Sequence, residues 1–141
     1  MKLRALGAAD APAACTLYLE LTRSGRVAPP DHFASVLAHP GTTVCGAFIA
    51  SDLAGMATLH ILPNMTYGGQ PYGLIENVVT ARSHRGRGVG RAVLSRLIDM
   101  AWAADAYKVM LLTGTARGAQ GFYRKVGFDD TDKHGMVLRR P

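Results

Sequence analysis

The amino-acid sequence predicts one α/β domain over residues 1–141, built on a mixed sheet. Three observations predict it. Short β-rich runs alternate along the chain with stretches whose apolar residues recur at helical spacing. One of those stretches, Val89 to Ala104, carries two adjacent apolar rows at i+4 spacing: Val89, Val93, Leu97, Ala101 and Leu94, Ile98, Trp102. Its row Arg91, Ser95, Asp99 is polar, the pattern of an amphipathic helix laid on a sheet. The composition, 48% hydrophobic and 18% charged, suffices for one core at this length and lies far from the signature of disorder. Aromatics make up only 7%, so that core should be mostly Ala, Val, Leu, Ile and Met.

The elements follow in the order β-α-α-β-β-β-α-β-α-β-β. Lys2 to Leu6 is a short first strand. Asp10 is a good N-cap, with Pro12 tolerated in the first turn. Ala14, Leu17, Tyr18 and Leu21 then keep helical spacing until Ser24-Gly25. Asp31 opens a shorter helix with Phe33, Val36 and Leu37 on one face, stopped by Pro40-Gly41. Thr42 to Ala50 and Leu53 to Leu62 form a hairpin about Ser51-Asp52. Pro63 to Pro71 is a loop, and Tyr72 to Thr80 is the clearest buried strand. After the long helix, Lys108 to Thr113 is a strand, and Ala119, Phe122, Tyr123 and Val126 mark a short helix capped by Gly127. Phe128 to Asp130 and Met136 to Leu138 are expected to close the sheet as a strand pair around Lys133-His134-Gly135.

Several classes fall away. No run of 18 apolar residues occurs, so no helix should span a membrane. Asp10 and Pro12 interrupt the N-terminal apolar stretch, which does not read as a signal peptide. Cys15 and Cys45 stand far apart with no ligand spacing around them, against a zinc site or a disulfide framework. No metal is expected. Two free thiols suit a reducing cytoplasm.

The net charge of +6 is unevenly spread. Arg82, Arg85, Arg87, Arg91 and Arg96 share one short segment with His84. Such a run is a solvated face or the seat of a polyanion, either nucleic acid or a phosphorylated cofactor. No aromatic residue between Tyr72 and Trp102 is available to stack bases, against nucleic acid. The segment also links a buried strand to a helix through Arg85-Gly86-Arg87-Gly88-Val89-Gly90. Glycines there let backbone N–H groups approach a ligand, and the helix N-terminus adds unpaired donors and partial positive charge. There is no G-x-x-x-x-G-K-[ST] loop. The dinucleotide pattern G-x-G-x-x-G fails because position 91 is Arg.

What fits is [QR]-x-x-G-x-[GA], at Arg85, Gly88 and Gly90. With Ile75-Glu76-Asn77-Val78-Val79 before it and Ala119-x-x-Phe122-Tyr123-x-x-x-Gly127-Phe128 after it, the chain resembles the GCN5-related N-acetyltransferases. The Ile-Glu-Asn-Val segment and Tyr107-Lys108-Val109 look most like the glucosamine-phosphate enzymes of that superfamily. The resemblance implies a mostly antiparallel sheet with helices on both faces and splayed fourth and fifth strands. It implies acetyl-CoA as cosubstrate, its pantetheine arm against the backbone of Val78, Val79 and Thr80. The pyrophosphate would lie on the amides of Gly86, Arg87, Gly88, Val89, Gly90 and Arg91, beside Arg85. The implied reaction is direct attack of a primary amine on the thioester. Homodimers are common among such proteins.

The reaction needs a deprotonated amine, a donor for the developing oxyanion and an acid for the leaving thiolate. Tyr123 matches the family tyrosine that donates to the thiolate, and it could also be a core aromatic. Glu76 is the one acid between Asp52 and Asp99, in an apolar strand where a bare carboxylate is costly. It is a general base, a seat for the acceptor's ammonium, or a sheet-face residue paired to an arginine. His60 on the third strand is a reserve base or a satisfied structural residue. His84 reads as a turn residue or phosphate neighbour, and Cys45 as core. Ala116 stands where the family often has an Asn, and Thr113-Gly114 where glucosamine-phosphate enzymes place an acid. The leading reading is an acetyl-CoA-dependent N-acetyltransferase acting on a small amine, with a protein acceptor or a non-catalytic acyl-CoA sensor as the alternatives. Acceptor choice should fall to the loops Arg23 to Pro30 and Pro63 to Pro71, and Arg23 and Arg26 suggest an anionic amine.

Overall fold

The structure is a computed structural model describing residues 1–141. Its strands are β1 (Lys2–Ala5), β2 (Thr42–Ile49), β3 (Asp52–Leu62), β4 (Tyr72–Thr80) and β5 (Val109–Met110). Its helices are α1 (Ala11–Leu21), α2 (His32–Ala38), α3 (Val89–Ala103) and α4 (Gln120–Val126). The sheet runs β1-β2-β3-β4-β5, antiparallel throughout except for the parallel pair β4–β5.

Strand alternation sorts the core into two layers. On one face Cys45, Ala47, Ala57, Leu59 and Ile75 pack beneath Val89, Val93, Leu94, Leu97 and Ala101 of α3. On the other face Val44, Met56 and Val79 meet Ala14 and Leu17 of α1 and Phe33 of α2. The small residues of β2 and β3 let α3 lie close, and Leu94 and Leu97 are fully buried. Each such leucine contributes about 1.5–3 kcal/mol. The second apolar row of α3 is only partly used: Leu94 is buried, but Trp102 is 51% exposed.

The ends of elements depart from expectation in instructive ways. Asp10 does not cap α1 with its side chain. It closes the 3-10 turn Ala8–Asp10, where its carboxylate accepts from the Gly7 N–H at 2.8 Å and from Arg4 Nη1 at 2.7 Å. That bonding holds its pKa down at about 2. Helix α1 ends at Leu21, before Ser24-Gly25, because Thr22 turns extended and its hydroxyl bonds Ser24. Strand β5 is two residues, not Lys108 to Thr113, and pairs with β4 only at Gly73↔Val109 and Leu74↔Met110. The expected strand pair at Phe128 to Asp130 and Met136 to Leu138 is absent, and nothing beyond α4 is regular. A strand needs a partner edge and a face to bury. Met136 and Leu138 are 93% and 100% exposed, so nothing in this chain supplies that face.

Candidate active site

The early end of β5 makes the site. Beyond Leu74 the outer edge of β4 has no strand partner, and a gap of about 190 Å³ opens between β4 and the segment after β5. Ile75, Glu76, Asn77 and Val78 line one side, Leu111 to Gly114 the other, and Tyr123 of α4 closes the end. The expected splay of the fourth and fifth strands is thus present.

A bulge sits at the gap. Met56 pairs with Val79 and Thr58 with Glu76, so β4 spends one more residue than β3 over this stretch. Asn77 absorbs the extra residue with φ +54. Asn enters the left-handed region more readily than most L-residues, which suits it to this place. The extra residue leaves Asn77 out of the β3–β4 ladder, and Asn77 lines the gap.

At the far end of β4, the Gly-rich turn delivers α3. Gly88 is its N-cap at φ +77, and the first intrahelical bond is Ala92 N–H to Gly88 O at 3.0 Å. The amides of Val89, Gly90 and Arg91 are therefore free of helix partners. Gly90 permits the close approach: a Cβ there would stand 3.2 Å from Thr80 Oγ1 and 3.3 Å from Phe122 Cζ. Glu20 of α1 accepts from the Arg82 N–H at 2.9 Å and pins the turn. Arg85, Arg87 and Arg91 are exposed, and the chain's ion pairs, Arg4–Asp10 and Arg124–Asp130, lie elsewhere. Arg85 Nε donates to Thr80 O at 3.4 Å and Arg87 Nη1 meets His84 Nδ1 at 3.0 Å, but no carboxylate neutralises the three guanidiniums. Free amides beside unneutralised cations are a donor set that fits a phosphate.

Tyr123 and Glu76 share the gap. Burial, more than any neighbour, pushes the Tyr123 phenol up, Arg117 pulls it back and Glu76 adds to the rise. It stays protonated at neutral pH and can donate. Tyr123 also packs edge-on against Phe122 and Phe128, so its core and site roles coexist. Glu76 is half-buried and forms no salt bridge, which removes its reading as an arginine partner.

A second, larger cavity of about 1050 Å³ lies on the α1–α2 face. It shares Leu21, Asn77, Gly114 and Arg117 with the gap, so the two spaces meet at the bulge. Arg23, Arg26, Arg117 and Arg139 line it, with His32 and His60 and no carboxylate. The loop Arg23 to Pro30 supplies much of the wall, as expected. The loop Pro63 to Pro71 supplies none, because Tyr67 stacks on Tyr107 at 4.0 Å and Gln70 bonds Asp105, tying it to the end of α3. At the cavity floor Thr58 is 2% exposed, and its Oγ1 has only the Tyr18 phenol beside it, outside good hydrogen-bond geometry. Tyr18 lies close by, its phenol pushed up by burial and partly offset by Thr58. Sequence reasoning missed the bulge, Thr58, Arg117 and Arg139, since only tertiary structure brings them to one cavity.

The acetyltransferase (GNAT) family model matches residues 12–128. The chain belongs to that family. A putative acetyltransferase from Agrobacterium tumefaciens superposes with a TM-score of 0.93 at 40% identity, covering 99% of this chain and 100% of its own. A glucosamine 6-phosphate N-acetyltransferase of Trypanosoma brucei brucei is 38% identical over 54% of this chain and 50% of its own length. A probable glucosamine 6-phosphate N-acetyltransferase 2 of rice, Oryza sativa subsp. japonica, is 39% identical over 55% and 46%. This GNAT member thus spans about half the length of the curated relatives it matches. Within the family model fall the gap, the cradle at Gly86 to Arg91 and both candidate catalytic side chains, Glu76 and Tyr123.

Proposed function

We propose that this chain moves an acetyl group from acetyl-CoA to the primary amine of a small anionic acceptor, with an amino-sugar phosphate as the type. The observation that carries the acceptor class is the large cavity, walled by four arginines and no carboxylate, that opens onto the gap at Asn77. Arginine forks suit phosphate or carboxylate on the acceptor. The names of the glucosamine 6-phosphate relatives point the same way.

Acetyl-CoA supplies the activated acyl group as a thioester. In this reading the free amides of Val89, Gly90 and Arg91, with Gly86 to Gly88 and Arg85, hold its phosphates. The unpaired edge of β4 through Val78, Val79 and Thr80 offers the pantetheine arm the backbone partners that β5 does not take. Tyr123, kept protonated by burial, gives its proton or a strong hydrogen bond to the departing sulfur. Glu76 sits in the same gap without a cation and receives the acceptor's ammonium. The bulge at Asn77 aims backbone donors to where negative charge develops.

The test is an acceptor panel with release of the CoA thiol as readout, run beside acetyl-CoA titrations of thermal stability. A ligand at a hundred times its Kd adds about 2.7 kcal/mol. Glucosamine 6-phosphate should outrun glucosamine by at least tenfold in kcat/KM. Equal rates would remove the anionic acceptor. Stabilisation without turnover of any amine would make the chain an acyl-CoA sensor, and no stabilisation would remove acetyl-CoA.

A further inference from the structure

We propose that His60 takes the proton of the acceptor's amine and passes it through Thr42 to His39 at the surface. The inference rests on the acetyl-transfer reading above.

The three side chains form a connected row. His60 is half-buried on β3 and lines the arginine-walled cavity. Its Nδ1 lies 2.8 Å from Thr42 Oγ1, and the same oxygen lies 3.0 Å from Nδ1 of His39. His39 is exposed, just past the end of α2. The row is built by backbone. Thr42 and His60 are direct register partners across β2 and β3. Thr42 N–H donates to His39 O at 3.1 Å, closing the turn that holds His39 over the strand end. The two imidazoles stand edge to face, 6.4 Å apart.

A mere stitch between α2 and the sheet does not require this chemistry. A hydroxyl between two imidazole nitrogens can donate to only one of them at a time. The row therefore has two hydrogen-bond directions, and moving one proton through it converts one into the other. The hydrogen bond His60 makes is at Nδ1, and two residues away on the same face Thr58 Oγ1 is buried with only the Tyr18 phenol beside it, outside good hydrogen-bond geometry. Thr58 in turn is the register partner of Glu76. An amine seated at Glu76 has an acceptor oxygen at Thr58 and a ring nitrogen beyond it.

The step balances. In the receiving state His60 Nδ1–H donates to Thr42, and the Thr42 hydroxyl donates to His39 Nδ1. Before attack, one N–H bond of the ammonium held at Glu76 breaks and a bond to His60 Nε2 forms, freeing the amine; the second N–H proton, released after attack, replaces the one that Tyr123 gives to the sulfur. The His60 Nδ1 proton goes to Thr42 Oγ1, the Thr42 proton to His39 Nδ1, and the His39 Nε2 proton to water. One proton enters, one leaves, and no charge is stranded in the cavity. After product leaves, exchange with cavity water restores the starting tautomers.

Around His60 the charged and titratable groups are Arg23, Arg26, Arg117 and Arg139, His32, Cys15 and Tyr18 in the cavity wall, His39 at the strand end and Glu76 on the neighbouring strand. His32→Gln and Glu76→Gln serve as controls for the pH profile.

Two measurements decide. The first needs no turnover: imidazole ¹⁵N–¹H NMR of the free protein at neutral pH should find His60 as the Nδ1–H tautomer, and Thr42→Val should lose that preference. An Nε2–H tautomer in the wild type overturns the relay. The second uses glucosamine 6-phosphate and acetyl-CoA. His60→Gln should lower kcat/KM by roughly 10²-fold and remove the acidic limb of its pH profile, with added imidazole restoring part of the rate to His60→Ala. Thr42→Val and His39→Gln should lower kcat several-fold with KM little changed, and Thr42→Ser should keep the wild-type rate. A wild-type acidic limb in His60→Gln overturns the proposal. A wild type inert toward every amine overturns the acetyl-transfer reading instead, while the tautomer still reports on the row.

Discussion

Tyr123→Phe removes one oxygen and leaves the ring. The ring holds its place by edge contacts to Phe122 and Phe128, at 5.1 and 6.1 Å between centroids, and Phe preserves both. No protein group bonds the phenol, so no buried partner is orphaned and Tm should move by no more than a degree or two. In the proposed reaction the loss falls on the transition state, where the leaving thiolate needs a proton. General acid catalysis contributes roughly 10²–10⁴-fold. The low end applies, because the gap shares its mouth with the large cavity and water can substitute in part. We expect kcat to fall about 10²-fold, near 2.7 kcal/mol, with acetyl-CoA affinity unchanged. The pH dependence adds a check. Burial raises the phenol's pKa, so its proton is retained through the neutral range and lost only above the usual tyrosine range. The alkaline fall of the wild-type kcat profile should therefore lie above the usual tyrosine range and be missing from Tyr123→Phe. Single-turnover measurements keep chemistry rate-limiting. A wild-type kcat in that assay refutes the acid role and leaves Tyr123 a packing residue.

Gly88→Val places a β-branched residue at φ +77 with no atom within 4 Å of its Cβ, so the cost is conformational, roughly 1–2 kcal/mol. Calorimetry should show acetyl-CoA affinity reduced at least tenfold, and normal binding would disprove the cradle. Glu76→Gln should raise KM for the amine several-fold while the acidic limb persists; loss of that limb would transfer the proton-accepting role from His60 to Glu76. Leu97→Ala empties a fully buried site under α3 and should cost about 2–5 kcal/mol in denaturant unfolding, a loss under 1 kcal/mol being inconsistent with that packing. Asp10 is lowered from 3.8 to about 2 in the fold, so its stabilisation is complete above pH 4 and disappears as pH falls through 2. Asp10→Asn should flatten that acid slope, and an unchanged slope would place the acid sensitivity elsewhere.

The long helix, the hairpin and the strand Tyr72 to Thr80 were legible because each carries its full period locally: the row Val89, Val93, Leu97, Ala101 is buried along its whole length. Trp102 broke its row because burial depends on where the sheet ends, which no helical period encodes. The final strand pair failed for a related reason. Met136, Val137 and Leu138 have strand character, but a strand exists only against an edge, and two-residue β5 offers almost none. Around the site, Gly88 and Tyr123 stood out through motif spacing. Thr58 and Arg139 are far apart in sequence and unremarkable one by one, and only the fold brings them, with His60, to one cavity.

The abrupt end of β4–β5 pairing has a consequence for how this protein meets its ligands. From Ile75 to Thr80 one side of the sheet is unfinished, and whatever fills the gap finishes it. Binding is then partly a folding event: the outward amides of one strand gain partners that the chain itself withholds. Hydrogen exchange would register it as slowed exchange at those few amides, graded by how much of the strand edge each ligand covers. A fragment carrying only the phosphates would stiffen the α3 end and leave the strand labile, whereas a fragment carrying only the thiol arm would do the reverse. Adding the two fragments together would then measure how far the two ends of β4 are mechanically one body.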